Sequence, residues 1–361
     1  MVVYMTDFAK LASEPVFFEK NRVFRVYTGG KLFADFFSDD SQDSFFPEEW
    51  ICSSVRAINE GRDEPDEGVS VVRGPGVLFD ELFQREKSRM LGERSGLDVL
   101  VKALDSAIRL PVQAHPDKAF SQKYFNSSFG KAESWYVLAT REDAAIYFGF
   151  KPGVTREAFA AATARSQTDK TAMESLLNRI PVKPGDVYFI PARAVHAIGA
   201  GCLILEVQEP TDFTIQPERC CGDYVLSDTE MYIGLKPEQA LDCFDFGFDL
   251  SRVERECRKT PRVTQQYDGV VKESLITRED TPCFGVERYT VTAARTHTLT
   301  APAVYVCTRG EGTVHLEGTD YSQKVQRGSY FFAPYSVNGA MYVQTGSTLE
   351  LAVCLPPEVT H

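Results

Sequence analysis

Two short strings and a distant histidine carry side chains that could gather a metal ion. Gln113 and His115 form a Q-x-H string, and Lys131 and Glu133 form a K-x-E string. His196 lies far downstream, behind the turn that runs from Gly185 to Pro191. Side chains two residues apart on a β-strand point to the same face. Two neighbouring strands lining a barrel would then aim an amide oxygen, an imidazole and a carboxylate at one point. His196 would add a second imidazole. Four nitrogen and oxygen donors with no sulfur suit a borderline divalent ion such as Zn²⁺, one per chain. Lys131 shares the face of Glu133, so it is placed to neutralise an oxyanion or contact a phosphate. In CLILEVQ, Glu206 shares a face with Ile204 and Gln208, opposite Leu205 and Val207. An acid on a barrel-lining face is paired or catalytic.

The elements that must position these groups are mostly strands. Apolar periodicity predicts strands over 108–114, 134–138, 145–150, 186–190 and 202–208. Helical spacing is predicted over 78–90 and 96–107, and 155–180 reads as a helical insertion with Thr155 as its N-cap. Residues 235–260 read as partly helical, and 59–68 as an exposed acidic loop. The last hundred residues return to a β pattern. An internal repeat runs through the chain: SWYVLATRE at 134–142 resembles AVYVCTRGE at 303–311, and PGDVYFIPARAVHA at 184–197 resembles RGSYFFAPYSVNGA at 327–340. In that alignment Glu133 falls opposite Pro302 and His196 opposite Gly339, so the second copy has no such ligands. His297, His315 and His361 show no partner spacing and read as surface residues.

Composition narrows the setting. At 361 residues the chain is long enough for two domains, with 43% hydrophobic and 25% charged residues, as in ordinary globular proteins. No apolar run approaches the roughly 18 residues of a membrane span. The N-terminus has no basic segment leading into an apolar run, which predicts no signal peptide. Nine scattered cysteines, including the vicinal Cys220–Cys221 and no C-x-x-C, fit a reducing cytoplasm. A net charge of −12 argues against nucleic acid or anionic membrane as partner. A small phosphorylated molecule needs only a few local cations and stays admissible.

The strings QAHPDK (113–118), GKAESWYVL (130–138), PGDVYFIPARAVHAIGAGCLILEVQ (184–208) and Asp212–Thr214 together resemble the type I phosphomannose isomerases. YTGGKLF and EEWICSS match the family's N-terminal segments more loosely. The resemblance implies a mainly β protein of two cupin-type, jelly-roll β-barrels with a helical insertion and connecting helices. It divides the chain into N-terminal strands, loops and helix (1–95), a metal-binding barrel (96–215, insertion at about 153–181), a partly helical connector (216–260) and a second barrel without ligands (261–361). It implies zinc held by Gln113, His115, Glu133 and His196, and a sugar phosphate as the small-molecule partner. The implied reaction is a metal-dependent aldose–ketose isomerisation of mannose 6-phosphate and fructose 6-phosphate through an enediol.

Two positions depart from the family. Pro111 stands where the family has a serine near the substrate phosphate, and Gln216 where it has an arginine. Arg219 is the nearest candidate to replace that arginine. The expected catalytic residues are Lys131, Glu206 and Arg219, with Lys131, Asp212 and Gln216 on the substrate. The departures also support two alternatives: an isomerase of another, unphosphorylated sugar, and a catalytically silent sugar-binding barrel protein.

Overall fold

Strand formation here follows from apolar residues at every second position where one face is buried, and from unbroken apolar runs where both faces are. The computed structural model describes residues 6–267, 269–292 and 295–359. The first part of the chain contributes β1 (Arg22–Val23), β2 (Glu48–Ile51), β3 (Leu100–Asp105), β4 (Glu133–Thr140), β5 (Ala145–Phe150), β6 (Leu177–Pro181), β7 (Val187–Ile190), β8 (His196–Ile198) and β9 (Cys202–Gln208). A hairpin of β10 (Cys220–Cys221) and β11 (Tyr224–Val225) follows, then β12 (Arg258–Lys259). The second part adds β13 (Arg262–Tyr267), β14 (Val270–Ile276), β15 (Gly285–Thr292), β16 (Arg295–Thr298), β17 (Ala303–Leu316), β18 (Ser322–Gln326), β19 (Tyr330–Ala333), β20 (Met341–Thr345) and β21 (Thr348–Leu355).

A large sheet runs β1-β2-β3-β9-β4-β7-β12, and a small one runs β6-β5-β8. The second part forms its own sheet, β13-β14-β15-β21-β17-β20-β16, with β18 and β19 also paired to β17. All these pairs are antiparallel. The order β3-β9-β4-β7 is matched by β15-β21-β17-β19, so the sequence repeat corresponds to a repeat in topology.

Strand β9 shows how the layers stack. Ile204 faces a core shared with Phe148 and Ile198 of the small sheet. Leu203, Leu205 and Val207 face the opposite way, into a core shared with Val304, Phe332 and Ala352 of the second part. The second part closes its own interior around Tyr289, Tyr305 and Phe331. The protein is thus mainly β, with two barrel-like units packed back to back through the outer face of the large sheet. Among the described residues no helix is long and apolar enough to cross a membrane.

Several expectations need correction. Residues 100–105 are a strand, not part of a helix over 96–107; all six are buried, and a strand apolar on both faces imitates helical spacing. Residues 108–114 form no continuous strand, only single bridges from Gln113 to His196 and Ala114 to Ile215. Pro111 and Pro116 remove the backbone donors a regular ladder would need. Within 155–180 the helix ends at Arg165, and 177–181 is β6, paired with β5. Thr155 does cap that helix, accepting from the N–H of Ala158. His297 is 7% exposed rather than a surface residue, with its Nδ1 against the hydroxyl of Tyr267. His361 lies outside the described residues.

Candidate metal centre and cavity

β4 and β8 bring the metal-binding candidates together from distant parts of the chain. Glu133 opens β4, and His196 opens β8 with its backbone bridged to Gln113. His115 Nε2 lies 2.9 Å from Glu133 Oε1 and 3.2 Å from His196 Nε2. His196 Nε2 lies 3.9 Å from Glu133 Oε2, and the Gln113 amide reaches it at 3.3 Å. The carboxylate and both imidazoles are essentially sealed from solvent. Among the described residues this is the one cluster of histidine, cysteine or acidic side chains so arranged.

Backbone bonds fix which ring nitrogens face inward. His115 Nδ1 meets the carbonyl of Phe213 at 3.0 Å, and His196 Nδ1 meets that of Ala194 at 2.9 Å. Each Nδ1 therefore carries the proton and donates it outward, which leaves both Nε2 lone pairs pointing into the cluster. Burial lowers the pKa of both rings, that of His196 to about 3, so neither ring is a cation at neutral pH. Burial pushes Glu133 the other way, but the positive charge beside it, with Lys131 bonded to the carboxylate, holds the carboxyl well below the usual range. Two converging lone pairs, a carboxylate and an amide that can turn its oxygen inward form a donor set for a divalent cation. Trp135 Nε1 donates to Glu133 Oε2 at 3.2 Å and steadies the carboxylate.

Cross-strand register extends the site. Trp50, Lys102, Glu206, Trp135 and Tyr188 lie opposite one another across β2, β3, β9, β4 and β7. Lys102 Nζ thereby lies 3.3 Å from Glu206 Oε1 and 3.7 Å from Glu48 Oε2. Trp135 Nε1 also reaches Glu206 Oε2 at 3.2 Å. Burial, and next the charge of Glu133, push the Glu206 carboxyl up to about 7. Burial would raise Glu48 too, but Arg25 and Lys102 hold it down at about 2, with Trp50 and Tyr27 donating to it.

These groups open onto a cavity of about 570 Å³. Gln113, Lys131, Glu206, Asp212 and Gln216 all line it. Lys131 lies beside the His115, Glu133 and His196 cluster, bonded to Glu133 and 3.0 Å from His115 Nε2. Asp212 is held by Arg25 Nη2 at 3.0 and 3.1 Å and accepts from the N–H of Ile58 at 2.8 Å. The Gln216 amide donates to the carbonyl of Glu230 at 3.0 Å. Arg219 is the exception. Its guanidinium binds the carbonyl of Leu226 at 2.9 Å and Asp228 at 2.7 Å, and it does not line the cavity. The position expected to replace the missing arginine is spent on pinning the segment beyond the β10–β11 hairpin.

Sequence reasoning missed Arg25, Glu48 and Lys102. Lys102 was hidden by the helical reading of its strand, which is buried on both faces and shows no alternation. Arg25 and Glu48 sit in N-terminal segments whose pattern does not show which sheet they join.

No family model matches the chain. A mannose-6-phosphate isomerase of Streptococcus mutans is 27% identical over 331 residues, covering 90% of this chain and 94% of that protein. The mannose-6-phosphate isomerase ManA of Bacillus subtilis is 31% identical over 223 residues, covering 61% of this chain and 64% of that protein. Among solved structures, a mannose 6-phosphate isomerase of Bacillus subtilis superposes with a TM-score of 0.71 at 22% identity, covering 94% of this chain and 99% of the other. A zinc-bound mannose 6-phosphate isomerase gives 0.68 at 14% identity, covering 96% and 100%.

Proposed function

We propose that the chain is a type I phosphomannose isomerase, a metal-dependent aldose–ketose isomerase interconverting mannose 6-phosphate and fructose 6-phosphate, in keeping with its similarity to mannose-6-phosphate isomerases. One observation carries the reading: Gln113, His115, Glu133 and His196 converge, with both inward ring nitrogens unprotonated, beside a cavity that can hold a sugar. The donor set favours zinc, and bound zinc supplies a redox-silent Lewis acid for the substrate's oxygens.

The remaining work falls to the protein's own residues. The Glu206 carboxyl, near 7, takes the proton from C2 of the open-chain aldose and returns it at C1. The proton on O2 is given up as O1 acquires one, so aldehyde and ketone exchange places with no net change in atoms. Lys102 and Lys131 donate to the oxygens where negative charge gathers in the enediol. Glu48, fixed by Tyr27 and Trp50, keeps Lys102 charged and aimed. Asp212 and Gln216 orient the distal part of the sugar. The nine unpaired cysteines support a reducing, cytoplasmic setting.

The test is a coupled assay of zinc-loaded protein with fructose 6-phosphate, alongside elemental analysis. Formation of mannose 6-phosphate with one zinc per chain is expected. Stoichiometric zinc with no interconversion would refute the proposal.

A further inference from the structure

The charges that line the cavity are arranged for a neutral, hydroxyl-bearing substrate end. Arg25 is committed to Asp212 at 3.0 and 3.1 Å and to Glu48 at 3.1 Å. Lys102 lies between Glu206 and Glu48, and Lys131 lies at the proposed metal ligands, at the C1–C2 end of the cavity. Each lining cation is thus paired with carboxylates or placed at the reacting end.

The wall formed by Gln216, Thr229 and Glu230, facing Asn59 and Glu60, carries two further carboxylates. Glu230 accepts from the Tyr224 hydroxyl at 2.7 Å and the Ser227 N–H at 2.8 Å, while the Ser227 hydroxyl donates to Glu60. These bonds come from neutral groups, so they bring no positive charge to either acid. A phosphate dianion at this wall would meet two like charges, an arrangement that disfavours binding. A sugar hydroxyl can donate to either carboxylate and accept from the Asn59 amide or the Thr229 hydroxyl.

We infer that phosphate contributes little to recognition, and that the protein also isomerises unphosphorylated aldohexoses to the corresponding ketohexoses. This inference rests on the isomerase reading above. It follows from how remote binding energy is used: a substrate loses turnover when a group that the site binds is removed, and here the phosphate has no cation set aside for it. The chemistry at C1 and C2 is unchanged. Only the O6 end differs, carrying a hydroxyl that donates to the acidic wall.

The experiment compares kcat/KM for mannose and mannose 6-phosphate in the zinc-loaded full chain. Values within ~10-fold of each other are expected, because the ester adds little differential binding. A preference for the phosphate ester beyond that ratio overturns the inference and leaves the isomerase reading standing. Conversion of neither sugar overturns both. The variant Gln216→Arg places a guanidinium beside Glu230, and is expected to shift the preference toward the phosphate ester by at least ~10-fold. An unshifted preference in a folded Gln216→Arg protein overturns the assignment of this wall to the O6 end.

Discussion

Replacing Glu218 with alanine removes the acceptor that shapes the backbone leading into Gln113. Residues 110–113 run beside 196–198, but three steps on one side span two on the other. The Leu110 N–H donates to Ile198 O and the Gln113 N–H to His196 O, each at 2.9 Å. The extra residue forms a bulge, a device that re-aims a side chain. Pro111 has no N–H to give, and the Val112 N–H turns outward to Glu218 at 2.6 Å. Arg109 grips the same carboxylate from Nη1 at 2.9 Å and Nη2 at 2.6 Å. Alanine would leave the Val112 N–H without an acceptor and a buried guanidinium short of its anion. Breaking such a pair costs about 3–5 kcal/mol, with the lower end expected because Arg109 keeps Glu174 at 2.8 Å. If the bulge aims Gln113, zinc affinity should also fall about 10–100-fold, or about 1.4–2.7 kcal/mol, as when a ligand's outer support is lost. Glu218→Gln keeps an oxygen for Val112 and should stay near wild type in affinity while losing part of the stability. Chelator competition measures affinity, and the visible spectrum of the cobalt-substituted protein reports the ligand set. A folded Glu218→Ala protein with wild-type zinc affinity and an unchanged cobalt spectrum would refute this account.

His115→Ala should abolish stoichiometric zinc binding and at least ~10²-fold of isomerase activity; full zinc content by elemental analysis would contradict the ligand assignment. Glu206→Gln should lower kcat by about 10²–10⁴-fold with zinc retained, the range for loss of a general base; wild-type kcat would exclude it from proton transfer. Lys102→Met should lower kcat by about 10²-fold while sparing metal content, since the side chain touches no proposed ligand; unaltered kinetics would remove it from the site. His297, outside the site, supplies a pH test. Burial lowers its pKa to about 4 against 6.5, so the unfolded chain binds the extra proton between those values and stability falls as pH drops through that window. Urea unfolding should show a loss of about 2 kcal/mol between pH 7 and pH 5 that is absent in His297→Phe; an identical pH dependence in that variant would exclude His297 as the cause.

The His115, Glu133 and His196 cluster was legible in the sequence because its chemistry is carried by residue type and, for the first two strings, a spacing of two. Glu133 opens a strand that its apolar run foretold from 134 onward, while His196 lies on a three-residue strand bridged to Gln113. Glu206 was legible from the strand's alternation, as an acid sharing a face with Ile204 and Gln208. Lys102 was not, since burial on both faces of β3 erased the alternation that would have marked a strand. Arg25 and Glu48 belong to short segments whose partners lie far along the chain, such as Asp212 for Arg25, and local pattern cannot encode such pairing. Arg219 misled because position in a motif says nothing of rotamer. Its carbonyl and carboxylate partners in the 226–228 segment hold it there.

The two repeats differ in what fills the face between their sheets. In the second barrel the rings of Tyr305 and Phe331 stack at 5.0 Å with planes 9° apart, and Tyr289 is buried beside them. That interior is filled. In the first barrel the corresponding sheet face carries Lys102, Glu206 and Glu133, charged groups that exclude an apolar filling and require partners instead. Such a face is costly unless every charge is compensated, and here carboxylates and cations alternate from Glu133 through Lys131, and from Glu206 through Lys102, Glu48 and Arg25 to Asp212. The second barrel covers the opposite face of the same sheet with apolar side chains, so β3, β9 and β4 are packed from behind while their front face stays polar. Rigidity supplied by one barrel lets the other keep a buried ionic row in the alignment that proton transfer needs.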